Sequence, residues 1–68
     1  MIINKVKLAR IAKGDLTQQE LANKVACSRQ TIHSIESGKF VPSVELALRL
    51  ARELDTAVEE LFKLEEQK

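Results

Sequence analysis

The sequence predicts a small all-α domain of five short helices, and its two ends are candidates for a short two-stranded β-ribbon. Capping-box patterns of the form Thr-x-x-Glu recur at residues 17–20 and 56–59, and each predicts the start of a helix. Ser28 and Ser43 precede segments with apolar residues at helical spacing, and both glycines fall between such segments. With 68 residues, we expect one domain spanning the whole of 1–68.

Each predicted helix has its own start signal. The helices are expected at residues 5–13, 18–25, 29–37, 44–53 and 57–62. Their expected N-terminal caps are Asn4, Thr17, Ser28, Ser43 and Thr56. Glu45 and Arg49 form a favourable i,i+4 pair on the fourth helix. The apolar residues 1–3 and the alternating residues 62–65 are the candidate strands.

Composition excludes several classes of protein. One cysteine rules out an internal disulfide and a zinc site built on several thiolates. No apolar run is long enough to span a membrane, and the start of the chain does not form a signal peptide, so we expect a cytoplasmic, nucleoid-associated protein. No carboxylate pair, Cys/His pair or Gly-rich phosphate loop is present. We therefore expect neither an enzyme nor a cofactor or metal.

The charge is unevenly distributed along the chain. Residues 1–52 carry nine Lys or Arg and four Asp or Glu, for a net charge of +5, whereas residues 53–68 carry two and six, for −4. A basic body with an acidic tail suits a protein that meets an anion on one side only.

The second and third helices are separated by only three residues, 26–28. So short a turn forces a steep crossing, which is the helix-turn-helix geometry, here over about residues 18–37. On the third helix Ile32 and Ile35 share one narrow arc, and the opposite side is polar and free to meet an external partner. The polar residues of that side are Arg29, Gln30, His33 and Ser34.

The segments LTQQELANKVACSRQTIHSIESGKFVPS and ELALRLARELDTAVEELF together cover most of the chain. They resemble the lambda-repressor-like, Cro/CI-type (XRE) helix-turn-helix family. The resemblance implies a five-helix DNA-binding domain, usually dimeric, that regulates transcription. It is to the small stand-alone members, some of which carry a terminal β-ribbon, and no small-molecule effector is expected.

The resemblance also implies a role for individual residues. The residues expected to contact bases are Arg29, Gln30 and Ser34. Those expected to contact DNA phosphates are Gln18, Ser28, Thr31 and Lys39, although Thr31 could instead lie at the edge of the core. Arg10 and Glu36 match a partly buried structural ion pair of the family.

Three further positions near the motif bear on its function. Ala26 stands where the family's turn usually carries glycine, and a positive φ there would strain it. Cys27 is expected to be a small core residue rather than a redox sensor. His33 is expected to be an exposed neighbour of the DNA-reading residues.

A single recognition helix reads too few base pairs to select one site in a genome, so we expect a homodimer. We expect the subunits to meet through the fifth helix and the terminal segments, and the candidate contact residues are Leu8, Ile11, Phe62 and Leu64. Leu8 and Ile11 project away from the expected core. Either the terminal segments fold over them or they meet the partner subunit, and both can hold together.

The sequence thus predicts a transcriptional regulator, and we expect a repressor that blocks transcription at a palindromic operator. Two alternatives stay open. One is the antitoxin of a toxin–antitoxin pair, which would bind DNA and also inhibit a partner protein. The other is a protein–protein adaptor that keeps the fold without binding DNA.

Overall fold

The computed structural model describes residues 2–65 and has the expected architecture of five helices with a two-stranded antiparallel sheet. The helices are α1 (Val6–Ala12), α2 (Gln18–Val25), α3 (Arg29–Glu36), α4 (Val44–Glu53) and α5 (Val58–Leu61). The strands are β1 (Ile2–Asn4) and β2 (Phe62–Leu64). The all-α prediction with a terminal ribbon is therefore confirmed.

Local capping determines where the central helices begin. Thr17 Oγ1 accepts a hydrogen bond from the Glu20 backbone N–H at 3.0 Å, and Glu20 Oε1 accepts one from the Thr17 N–H at 2.8 Å. This is the complete capping box predicted for α2. Ser28 and Ser43 accept from the third residue of α3 and of α4 in the same way.

The predicted cap of the fifth helix is wrong. The α5 helix begins at Val58, and Ala57 precedes it without a side-chain cap. The Thr56 hydroxyl instead donates a hydrogen bond to the Leu54 carbonyl at 2.9 Å. Asp55 before it has a left-handed backbone, with φ of 55°. This turn directs the Thr56 hydroxyl back toward α4, so it does not serve α5.

The start of α1 also differs from the prediction, because Asn4 acts from one residue further away. Lys5 is the N-cap residue and makes no side-chain cap bond. Asn4 Oδ1 still accepts from the Val6 N–H at 3.1 Å, while its Nδ2 donates to the Ile35 carbonyl at 2.9 Å. One side chain therefore joins β1, α1 and the end of α3.

The sheet fastens the two ends of the described chain to each other. Its register pairs Ile2 with Leu64, Ile3 with Lys63, and Asn4 with Phe62. The Lys5 N–H donates to the Leu61 carbonyl at 2.9 Å and continues the pairing to the start of α1.

An aliphatic core holds the helices together. Ile32 and Ile35 of α3 pack into it, so one side of α3 is buried and the other is left to solvent. The buried residues of the core are Val6, Leu21, Ala22, Val25, Ile32, Ile35, Leu50, Ala51, Leu54 and Leu61.

The turn between α2 and α3 depends on a strained residue. Ala26 has φ 60° and ψ 47°, the left-handed conformation that normally favours glycine. Its N–H donates to the Ala22 carbonyl and closes the end of α2. The expected departure from the family's usual glycine thus carries a backbone cost in the turn that aims α3.

Replacing Ala26 with glycine is expected to raise the free energy of unfolding by about 1 kcal/mol, because glycine adopts this conformation without steric cost. Urea unfolding followed by circular dichroism measures the change. The matched control is Ala47→Gly inside α4, where glycine should lower stability by about 1 kcal/mol. A loss of stability with Ala26→Gly would contradict the strain.

Candidate nucleic-acid interface

The α3 helix presents a polar side to the exterior. Ile32 and Ile35 are buried, whereas Arg29, Gln30 and His33 are exposed. Arg29 occupies the first position of the helix, directly after the Ser28 cap. Both Arg29 and Gln30 can therefore reach a partner outside the chain without any rearrangement of the core.

Four of the residues predicted from the sequence lie together around one shallow depression. It is lined by Gln30, Thr31, Ser34, Lys39 and Phe40, and we call it the recognition surface. Gln30 Nε2 lies 3.4 Å from Ser34 Oγ. So long a contact is weak and readily exchanged for one to a base edge. Two predicted base-contacting residues thus adjoin two predicted phosphate-contacting residues.

Ser28 and Thr31 have a structural duty at the start of α3. Ser28 Oγ accepts from the Thr31 N–H at 3.1 Å, and the two hydroxyl oxygens lie 2.8 Å apart. Thr31 is half-buried yet also lines the recognition surface. Its two alternatives, a phosphate contact and a place at the core edge, are therefore compatible.

Gln18 lies away from the recognition surface, in a second depression at the start of α2. The residues lining it are Lys7, Arg10, Gln18, His33, Glu36 and Ser37, and we call it the Gln18 depression. Gln18 is half-buried, and its Nε2 donates to Glu36 Oε1 at 3.0 Å. Its amide is thus fixed by a carboxylate at the end of α3.

Arg10 and Glu36 form a two-pronged ion pair between α1 and α3. Arg10 Nε lies 2.8 Å from Glu36 Oε2, and Nη2 lies 3.1 Å from Oε1. The two side chains are only 12% and 6% exposed. Arg10 Nη1 also donates to the Leu16 carbonyl at 2.6 Å. The hydrogen bond to Glu36 raises the pKa of the Arg10 guanidinium, which therefore stays charged.

Sequence reasoning missed three residues that line these depressions. Phe40 follows Lys39 on the recognition surface, and Lys7 and Ser37 border the Gln18 depression. Lys7 lies three positions before Arg10 and so shares its helix face, a signal the sequence did contain. Ser37 and Phe40 follow the end of α3, where only the path of the chain decides what is near.

Cys27 and His33 have the environments expected of them. Cys27 is partly buried and packs against the core, and burial raises the pKa of its thiol. A thiol that resists ionisation is a poor redox sensor. His33 is exposed, as expected, and it lines the Gln18 depression. Among residues 2–65, no three His, Cys, Asp or Glu side chains are grouped so as to hold a metal ion.

These features define a helix-turn-helix protein in which α3, the second helix of the motif, is open for contact with DNA. A family model described as "Helix-turn-helix" matches residues 6–61. The chain therefore belongs to the XRE-type helix-turn-helix family of DNA-binding transcriptional regulators. Nowhere in residues 2–65 is a helix long and apolar enough to cross a membrane.

Similar proteins carry the same description. An uncharacterised HTH-type transcriptional regulator of Methanocaldococcus jannaschii is 44% identical over 63 residues, which cover 93% of this chain and 94% of that protein. Another, from Bacillus subtilis, is 41% identical over 64 residues, or 94% and 96% of the two chains.

A solved structure with a similar fold is the restriction-modification controller protein C.AhdI from Aeromonas hydrophila. Its TM-score is 0.73 at 33% identity, covering 81% of this chain and 82% of that one.

Proposed function

We propose that this protein represses transcription by binding a palindromic operator as a homodimer, with one α3 helix of each subunit in the major groove. The observation that carries the proposal is the recognition surface, where Gln30 and Ser34 adjoin Lys39 beside the exposed Arg29. Arginine can bond guanine O6 and N7 with two hydrogen bonds, and glutamine can do the same to adenine N6 and N7. Because DNA lies in the nucleoid, we place the protein there, in the cytoplasm.

The phosphate contacts in this proposal come from both sides of the base-reading residues. Lys39 follows α3 and Gln18 opens α2, so the two flank the groove-facing part of the motif. Ser28 and Thr31 add hydroxyls near the start of α3. Such contacts orient the protein on the duplex and supply affinity, and the bases supply specificity.

A role in regulating transcription is supported by the names of similar proteins. Its relatives are named transcriptional regulators, and a structural neighbour controls a restriction-modification system. We infer that the protein blocks transcription when it is bound to its operator, and that it needs no small-molecule effector to do so.

Selection of bound duplexes from a random DNA pool tests the proposal. An enriched palindrome, with half-sites about 34 Å or one helical turn apart, is the expected result. A folded protein that enriches no sequence would contradict it and would favour the adaptor or the antitoxin. A toxin gene beside this one, and co-purification with its product, would identify the antitoxin.

Two exposed apolar surfaces compete for the dimer contact. The first, which we call the terminal surface, is the one expected from the sequence and consists of Leu8, Ile11 and Leu64. Within residues 2–65 these side chains are 67%, 44% and 75% exposed, respectively. The alternative that terminal segments fold over Leu8 is wrong for residues 2–65. Phe62 contributes less, since it is half-buried against the core.

The second surface, which the sequence reasoning did not single out, is formed by the α3–α4 connection and α4. We call it the α4 surface, and its members are Phe40, Val41, Val44 and Leu48. Val44 is 77% and Leu48 53% exposed, one helical turn apart. Phe40 also joins this surface to the recognition surface.

Introducing a charge into each surface in turn is expected to show which one pairs the subunits. If the terminal surface pairs the subunits, Leu8→Glu should convert a dimer to a monomer in sedimentation velocity and leave Val44→Glu dimeric. If the α4 surface pairs them, the outcomes exchange. Each substitution is on an exposed side chain, so both variants should fold. A wild-type protein that binds its operator as a monomer would contradict the homodimer.

A further inference from the structure

The Gln18 depression brings three segments of the fold to one point. Lys7 comes from α1, Gln18 from the start of α2, and Ser37 from the residue after α3. The ion pair between Arg10 and Glu36 lies at this same depression. The family resemblance implies a phosphate contact for Gln18 but does not explain how the depression is built around it.

Gln18 is held by a buried anion. Its Nε2 donates at 3.0 Å to Glu36 Oε1, the same oxygen that accepts from Arg10 Nη2 at 3.1 Å. Because the Glu36 side chain is only 6% exposed, solvent cannot easily replace it as acceptor. A side-chain amide has two N–H groups. One is fixed on Glu36, and the other is left for an external acceptor.

The charges around the depression favour an anion. The negative charge of Glu36 is matched by Arg10 through two hydrogen bonds. Lys7 is exposed and takes part in none of the ion pairs among residues 2–65, which involve Arg10, Lys13 and Arg49. Its ammonium therefore adds positive charge beside the Gln18 amide. A DNA phosphodiester is an anion that accepts hydrogen bonds from both groups.

We propose that Glu36 is a positioning residue that orients the Gln18 amide toward a phosphodiester of the DNA backbone, and that Lys7 is a further phosphate-contacting residue at the Gln18 depression. This inference rests on the proposed function, because it requires that the protein bind DNA. It assigns the Arg10–Glu36 pair a second role, since the pair then holds both the core and a DNA contact.

A double-mutant cycle tests the role of Glu36. Gln18→Ala should weaken operator binding about 10- to 100-fold. Glu36→Gln should weaken it about 3- to 10-fold in the wild-type background but less than about 2-fold when Gln18 is already alanine. Equal effects of Glu36→Gln in both backgrounds would overturn the positioning role, since they would reflect a general loss of structure.

A second variant guards against unfolding. Arg10→Met combined with Glu36→Leu replaces the pair by apolar side chains of similar size, an exchange that folded proteins often tolerate. In this variant the Gln18 side-chain amide should become mobile in ¹⁵N relaxation, measured without DNA, whereas it should be rigid in the wild-type protein. A mobile Gln18 amide in the wild-type protein would overturn the inference.

The salt dependence of binding tests Lys7. Lys7→Ala should reduce the slope of log K against log salt by about 1, as expected for loss of one phosphate contact. Lys63→Ala on β2 removes the same charge outside the depression and should leave the slope unchanged. An unchanged slope with Lys7→Ala would remove Lys7 from the site. If wild-type protein bound no DNA, the proposed function would fail instead.

Discussion

Replacing Glu36 with alanine is expected to lower the free energy of unfolding by about 3–5 kcal/mol. The substitution leaves the Arg10 guanidinium, whose side chain is 12% exposed, without its carboxylate. It also removes the acceptor that Gln18 uses. Small domains have total stabilities of about 5–15 kcal/mol, so this loss is a large share of the total. Urea unfolding followed by circular dichroism measures it.

The matched control is Glu45→Ala on α4, which breaks the exposed pair with Arg49. That pair is shorter, at 2.6 Å against 2.8 Å, but its side chains are 43% and 75% exposed. We expect a loss of only about 0.3–0.5 kcal/mol, because water and salt screen an exposed pair. Burial rather than distance should decide the difference. Equal losses from Glu36→Ala and Glu45→Ala would contradict this account.

The same reasoning predicts a contrast within the buried pair. Removing one partner strands a charge, whereas the double replacement Arg10→Met with Glu36→Leu strands none. The free energy of unfolding of the double variant is therefore expected to exceed that of Glu36→Ala by about 3 kcal/mol or more. A double variant no more stable than Glu36→Ala would show that the loss comes from packing and not from the uncompensated charge.

Replacing Arg29 with alanine is expected to relax sequence specificity at one base pair of each half-site, at a cost of about 1–3 kcal/mol for the preferred base. Arg29 is exposed at the first position of α3, where its guanidinium is free to bond a guanine edge. Binding of the variant to a set of single-base operator changes, at one fixed salt concentration, measures the effect.

Lys39→Ala is the matched control for Arg29→Ala. Lys39 is also exposed and lines the recognition surface, and the substitution removes the same charge. As a phosphate contact, it should weaken binding about equally on all sequences. If Arg29→Ala also weakened binding equally on every operator variant, Arg29 would contact the backbone and not a base.

Most of the helical framework follows from local signals in the sequence. The starts of α2, α3 and α4 follow from Thr17, Ser28 and Ser43, because a cap acts on N–H groups only two or three residues away. The short turn and the arc of Ile32 and Ile35 likewise predicted which side of α3 is buried. Such signals are local, and local geometry is enough to read them.

The remaining features depend on contacts between segments that are distant in the sequence. The Thr56 hydroxyl donates to the Leu54 carbonyl because of the left-handed backbone at Asp55. The residues 56–59 therefore match the capping-box pattern without forming a cap. The Gln18 side chain donates a hydrogen bond to Glu36, 18 positions away, and Lys7 lines the same depression. No residue spacing encodes the contact between Gln18 and Glu36, whereas the place of Lys7 on the same face of α1 as Arg10 could be read from the sequence. That contact results from how α1, α2 and α3 pack on the common core, and that packing places the candidate phosphate site where the three segments converge.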